Sequence, residues 1–355
     1  MSGKSRVHID PNCRVSYGAF YIRGLYDVFG KHRVGFSSRF FSGLKHEAPK
    51  PDYEHYMALV VTGPGSSRKR IVIDFHDSTK INEAAYDWCD VYAKTNYNKD
   101  SHPPGHYPKV VVTAPNSGYR IWGLNETRFQ LYTNLLRCKL KPLSGRHRFR
   151  KDYMYQHNRR SIETYESCAQ LQERRPDESP YVFFISTLWR HQNCIEHTNP
   201  YRKRFMDICR SLPIEFEGGF FGDDPTHPQY EAFRDLIIHR KYGLDSYIDK
   251  MTRSAFAFNT PAVHGCHGWK LSEYLAMGKA ILSTPIMNEL PAPLEHGRHV
   301  HFAHTDDEMR EGVSMLLEYP AYRAHLQEGA RDYYRRHASP EAAIRVILES
   351  APFLQ

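Results

Sequence analysis

Apolar residues in the first half of this chain fall in short runs at 7–10 (VHID), 33–36, 56–61, 70–75, 91–94 and 109–113, and these runs predict strands. Residues 20–29 and 82–89 read as helices between them. Strand and helix alternating in this way predicts an α/β domain on a parallel sheet. In the second half, the unbroken run at 181–186 (YVFFIS) follows the charged, Pro-rich segment ERRPDESP and predicts the first buried strand of a second domain. A helix is expected over 201–212. A strand over 214–217 is expected to end in a tight loop at Gly218-Gly219 that lets a ligand approach the backbone. Residues 245–253 predict a short amphipathic helix. From Thr305 on the pattern is helical, over 306–318, 321–337 and 340–348, with Ser339 as a cap and Pro340 in the first helical position.

The most informative stretch is 254–285, SAFAFNTPAVHGCHGWKLSEYLAMGKAILSTP. Residues 255–259 read as a strand, 260–268 as a loop, 269–277 as a helix, Gly278 as its left-handed stop, and 280–283 as a second strand. Two short strands joined through a helix form a βαβ unit, so the loop before the helix lies at the carboxyl edge of a parallel sheet, where open α/β folds bind ligands. The free N–H groups of that helix start suit a phosphate. Lys270 stands in the first turn, where a cation opposes the helix dipole unless an anion lies near, and Glu273 follows on the same face. A solvated Lys270–Glu273 pair accounts for the spacing equally well. His264, Cys266 and His267 lie within four residues, but no fourth ligand is indicated and no metal is expected.

The pattern Lys270, Glu273-Tyr274-Leu275-Ala276, Gly278-Lys279, Ala280-Ile281-Leu282-Ser283 resembles the donor-binding segment of GT-B glycosyltransferases of group 1. The resemblance is sequence-level over 180–340 and architectural before that. It implies two Rossmann-like domains facing across a cleft: an acceptor domain over 1–165, a linker over 166–179, a donor domain over 180–338, and a final helix over 339–355 that returns to the first domain. It also implies transfer of a sugar from a nucleoside-diphosphate sugar to an acceptor hydroxyl, without a metal or other cofactor, in glycan or polysaccharide assembly. Donor ligands would be Arg190, after the 181–186 strand, with His264, Gly265, Gly268, Lys270 and Glu273. Asn288-Glu289 would line the sugar or base pocket. Many retaining members carry a further Glu eight positions before the one matched by Glu273. Here that position is Gly265, which leaves the stereochemical course open.

On the acceptor side, an inverting transfer needs a general base for the attacking hydroxyl. Asp77 and then Asp10, each at the end of a predicted strand, are the candidates, with a turn or cap role as the alternative for both. Tyr17, Gly18 and His76 stand at the same kind of strand end and would hold the acceptor. Lys94 would neutralise phosphate or, more simply, sit on the surface.

Composition narrows the class. With 355 residues, 41% hydrophobic and 25% charged, the chain is of ordinary globular type and long enough for two cores. Its opening MSGKSRVHID has no apolar signal region and no apolar run approaches membrane-spanning length, so a cytoplasmic protein is expected. Seven scattered cysteines without a CxxC argue against structural zinc and a disulfide framework. The net charge of +8 is concentrated in 137–160, which holds nine Lys/Arg against one acid, Asp152. Such a stripe suits an anionic membrane surface or an acidic acceptor, glycan or lipid-linked, or else is a solvated linker. Two rivals remain: a nucleotide-sugar epimerase on the same fold, and a nucleic-acid-binding protein using the stripe. The second leaves the phosphate-loop pattern unexplained, so no nucleic-acid partner is expected.

Overall fold

The computed structural model describes residues 5–45, 55–63, 67–138, 143–173, 180–222 and 224–350. They form an α/β protein of two compact units: residues 1–162 with 289–292 and 337–355, and residues 163–288 with 293–336.

The first unit is built on a six-stranded sheet. Its strands are β1 (Arg6–Ile9), β2 (Val34–Phe36), β3 (Tyr56–Thr62), β4 (Arg68–Asp74), β5 (Val91–Lys94) and β6 (Val110–Val112), in the order β2-β1-β3-β4-β5-β6. The sheet is not wholly parallel as the sequence pattern predicts: β3 runs antiparallel to both β1 and β4. The β3–β4 link contains no described helix, and an antiparallel pair needs only a turn where a parallel pair needs a crossover. All other strands run with β1, so β1, β4, β5 and β6 end at one edge.

Helix α1 (Val15–Phe29) starts five residues earlier than the apolar pattern suggests. Its start is fixed from far away in sequence: the buried Asp152 carboxylate accepts from the backbone N–H of Val15 (2.7 Å) and Ser16 (3.1 Å) and from the Ser16 hydroxyl. Asp152 lies on α4 (Leu143–His157), which packs against α1 and against α3 (Leu124–Cys138). The short helix α2 (Glu83–Trp88) is capped by Asn82, whose side chain accepts from the Ala85 N–H at 2.9 Å. Two of the predicted basic-stripe residues, 139 and 141, lie outside the described residues, as does 174–179 of the expected linker. Between them run α5 (Ile162–Glu166) and α6 (Cys168–Glu173).

The second unit carries parallel sheets β7 (Tyr181–Thr187), β8 (Glu215–Phe221), β9 (Ile237–Ile238) and β10 (Ala257–Asn259), β11 (Ile281–Ser283), β12 (His301–Phe302). The first has the order β7-β8-β9 and the second β10-β11-β12. Ala255 N–H donates to Tyr181 O at 2.7 Å and so brings β10 alongside β7. Outward from that junction the chain winds in opposite senses, the arrangement of a doubly wound dinucleotide fold. Helices α7 (Asn199–Ser211), α8 (Leu244–Arg253), α9 (Gly268–Ala276), α10 (Asp306–Glu318) and α11 (Pro320–Tyr333) accompany these strands. The core is aromatic: Phe184, Phe205, Phe256 and Phe258 are buried, with Phe205 and Phe258 stacked at 4.0 Å.

Gly218 and Gly219 lie inside β8 and not in a ligand loop. A Cβ on Gly218 would collide with the Phe184 carbonyl, and one on Gly219 would sit 2.5 Å from Leu236 O, so these glycines let β8 lie close between β7 and the segment that leads into β9. The last helix, α12 (Pro340–Glu349), packs on α1 in the first unit, with the Ser339 hydroxyl capping it as predicted. Gly24 of α1 makes that crossing possible, because a Cβ there would strike the Pro340 carbonyl.

Candidate functional site

The junction of β7 and β10 is where strand order reverses, and the carboxyl ends of its strands are Thr187 and Asn259. In a sheet of this kind ligands bind outside those ends. Arg202, on α7, spans them. It is 4% exposed, its Nε donates to Thr260 Oγ1 (2.9 Å) and its guanidinium to Ser186 Oγ (2.5 Å), and no carboxylate pairs with it among the described residues. Burial lowers its pKa to about 10. In the sequence Arg202 is one of three consecutive basic residues, Arg202, Lys203 and Arg204, early in the helix expected over 201–212. Its only sign there was its place on the α7 face that also carries Phe205, Met206 and Cys209.

Lys270 meets it from the other chain segment. Its ammonium donates to Ile185 O and lies 4.4 Å from the Phe184 ring centre. Burial first, then the nearby Arg202 charge, depress its pKa to about 7, against an opposing pull from Glu273. Lys270 is therefore held half-buried beside a second cation and the buried carboxylate of Glu273, and not on a solvated surface. Glu273 is itself buried, 4% exposed, and accepts from the Tyr247 hydroxyl at 3.4 Å. Helix α9 begins at Gly268 with neither a side-chain cap nor an acid in its first turn. Helix N-terminus, Lys270 and Arg202 together make an electropositive corner whose charge one carboxylate only partly offsets.

The loop ahead of α9 is held by α7 and the turn before it. Asn193 accepts from His264 N–H (3.1 Å) and donates to Ala262 O (3.0 Å), while the Thr198 hydroxyl donates to Pro261 O (3.0 Å). His264 sits at φ 58°, rare for a residue with a Cβ, and its ring packs edge-on to His191 at 4.1 Å. Gly265 and Gly268 follow with φ of 73° and 65°. A Glu at the Gly265 position would have to adopt that left-handed backbone, so the departure from the retaining pattern matches the local geometry.

Arg190 is engaged elsewhere. Its half-exposed guanidinium binds Asp224 (2.5 Å) and Thr226 (2.5 Å), and Thr226 with Arg190 holds the Asp224 carboxyl down to about 2. The two residues help line a cavity of about 260 Å³ at the ends of β7 and β8, with Trp189, His227 and Tyr230. Among the described residues no three His, Cys, Asp or Glu side chains are grouped to hold a metal ion, the 264–267 loop included.

In the first unit the predicted acceptor residues gather at the common carboxyl edge of β1 and β4. Tyr17 and Gly18 lie within the opening turns of α1 and not in a loop before it. The Tyr17 ring stacks on Phe75 at 5.8 Å beneath the Arg14 guanidinium. His76 accepts from Ser78 N–H through Nδ1 (3.0 Å), and its ring meets His55 edge-on at 4.7 Å. Asp77 is exposed and makes no hydrogen bond or ion pair among the described residues; Asn82, not Asp77, caps the next helix. Asp10 is 3% exposed and accepts from both Asn12 N–H (3.0 Å) and Asn12 Nδ2 (3.1 Å), a closed turn. Lys94 is no surface residue. It is fully buried and paired with Asp74 at 3.0 Å, and Asp74 also accepts from the Tyr92 hydroxyl at 2.5 Å. The last turn of a central strand has no solvent to offer it.

Comparison with known proteins gives one family match, to the model described as glycosyl transferase-like, over residues 205–349. No curated protein matches the chain. Among solved structures, a glycosyltransferase from Rickettsia africae ESF-5 superposes with a TM-score of 0.41 at 15% identity, over 75% of this chain and 64% of that one. Sucrose-phosphate synthase from Thermosynechococcus elongatus gives 0.40 at 10% identity, over 74% and 67%. HepE from Anabaena in complex with UDP-glucose gives 0.36 at 12% identity, over 77% and 80%. The stretch 205–349, which holds Lys270, Glu273 and the loop before them, is similar to glycosyl transferase-like proteins.

Proposed function

We propose that this protein is a glycosyltransferase that moves a sugar from a nucleoside-diphosphate sugar to an acceptor hydroxyl. The observation that carries the reading is the pair of cations at the β7–β10 junction: Arg202, buried without a carboxylate partner among the described residues, and Lys270, depressed to about 7 at an uncapped helix start. A diphosphate relieves both. Arg202 and Lys270, with the N–H groups of α9 and the 264–268 loop, bind its oxygens. Glu273 accepts from a hydroxyl of the ribose or sugar, and the base lies toward the cavity beside Trp189 and Tyr230.

In the reaction the acceptor oxygen bonds to the anomeric carbon as the bond from that carbon to the diphosphate oxygen breaks, and the electron pair leaves on the diphosphate. Fixed cations and helix N–H groups stabilise that developing charge with no divalent metal required. In an inverting course the acceptor proton passes to Asp77 or Asp10, and Tyr17, Gly18 and His76 hold the acceptor. In a retaining course it passes to the departing phosphate. The acceptor is a glycan or a lipid-linked glycan, and the setting is cytoplasmic glycan assembly. Among the described residues no helix is long and apolar enough to cross a membrane.

The test is a thermal-shift panel of UDP, GDP, ADP, CMP and their sugars on the parent, Lys270→Ala and Glu273→Ala. A shift with one base in the parent that is lost in both variants supports the reading. Equal shifts in all three proteins, or none with any nucleotide, overturn it.

A further inference from the structure

Helix α3 has its amphipathic character reversed. Thr127, Leu131 and Asn134 are buried, while Phe129, Tyr132 and Leu136 stand 63%, 63% and 77% exposed. Their spacing puts those three rings and chains on one outward stripe. Water alone does not favour that orientation, and a partner that takes up the stripe resolves it.

The surroundings of the stripe say what partner. Arg128 and Arg137 flank it on α3 and are exposed. Helix α4 is joined to α3 by Asn134 Nδ2 donating to the Tyr153 hydroxyl (2.8 Å), and it exposes Arg146, Arg150, Lys151 and Tyr155. The one acid on α4, Asp152, is turned inward to α1, and the acid on α3, Glu126, is held by Lys31 at 2.7 Å. The outward face of the two helices is thus apolar and cationic together. A second copy would set like charges against each other, and a nucleic acid has no use for Leu136.

We propose that the α3–α4 face docks on an anionic lipid bilayer, with Phe129, Tyr132 and Leu136 entering the headgroup boundary and the arginines and Lys151 meeting lipid phosphates. The proposal rests on residues of the first unit alone and does not depend on the donor site.

The experiment is co-sedimentation of the full chain with vesicles of phosphatidylcholine alone and of phosphatidylcholine containing phosphatidylglycerol, over a range of salt. The parent is expected to partition onto the anionic vesicles and to be released by salt. Arg150→Glu/Lys151→Glu is expected to lose about fivefold or more in partitioning. Phe129→Ser/Tyr132→Ser/Leu136→Ser is expected to lose about tenfold or more with an unchanged melting temperature. Absence of parent binding, equal binding to neutral vesicles, or equal binding by parent and triple variant overturns the proposal. So does a lowered melting temperature in the triple variant, which would mean that the stripe is packed. A parent dimer that the triple variant lacks would overturn it in favour of a second copy.

Discussion

Lys270 and Arg202 grip consecutive residues of one strand end: the ammonium donates to the Ile185 carbonyl and the guanidinium to the Ser186 hydroxyl. Glu273 is the one buried carboxylate that acts on this corner among the described residues, so two cations are only partly balanced there, and a buried charge short of a counter-ion is costly. Arg202→Met is therefore expected to leave unfolding free energy within about 1 kcal/mol of the parent, since desolvation relieved offsets two hydroxyls left without a donor. Nucleotide affinity is expected to fall about 10- to 100-fold, the worth of one or two charge-assisted bonds. Urea unfolding and titration calorimetry read the two quantities. A loss of several kcal/mol in stability would make Arg202 a structural clasp and not a binding group.

The depressed pKa of Lys270 gives binding a pH dependence of definite sign. In the free protein the group titrates at about 7, below its unfolded value, so from high pH down to 7 the unfolded chain takes up a proton that the folded one refuses. Stability from this group is present at high pH and is lost as pH falls toward 7. A bound diphosphate raises the same pKa, and the complex takes up a proton above pH 7. Affinity for a nucleoside-diphosphate sugar is then highest below pH 7 and weakens by up to about tenfold per pH unit above it. Calorimetry at pH 8 in buffers of different ionisation enthalpy will show proton uptake, and Lys270→Arg will abolish it. A flat profile in the parent would mean that the ligand avoids Lys270.

The βαβ unit around α9 was legible because three local rules agree there: two short apolar strands, a helix between them, and Gly278 at φ 61° as its stop. The places of Lys270 and Glu273 on α9 were legible for the same reason. Arg202 and Asp152 were not, since each acts on atoms more than fifty residues away, Thr260 and Val15 respectively, and no local spacing records that. The reversed strand β3 escaped because an apolar run has no direction of its own. Arg190 stands after β7 as its place in the sequence implies, but its ion pair with Asp224, brought close by the end of β8, had no local sign.

The two candidate bases separate by experiment. Asp77 is exposed and without a hydrogen bond or ion pair among the described residues, so Asp77→Ala is expected to leave the melting temperature unchanged. If it takes the acceptor proton, kcat falls about 100-fold or more. Asp10 closes its turn through Asn12, and Asp10→Ala is expected to cost about 1 to 2 kcal/mol in stability. Turnover of Asp77→Ala at the parent rate would remove it from the mechanism.

Asp152 ties the basic segment to the edge where the acceptor residues gather. Its carboxylate receives the first two N–H groups of α1 and the Ser16 hydroxyl, and Tyr17 comes next along the same helix. The N-cap residue Arg14 makes no side-chain cap of its own. Asp152→Ala is expected to cost about 2 to 3 kcal/mol, a lost cap together with buried donors left unsatisfied. Asp152→Asn keeps one acceptor oxygen and is expected to recover about half of that. Amide exchange should quicken first at Val15 and Ser16, with α9 in the other unit unaffected. Nucleotide shifts should persist in both variants, because Arg202 and Lys270, the cations proposed to bind diphosphate, lie in the second unit. Loss of nucleotide binding in Asp152→Ala at a temperature where the protein remains folded would show that the two units do not act separately in donor binding.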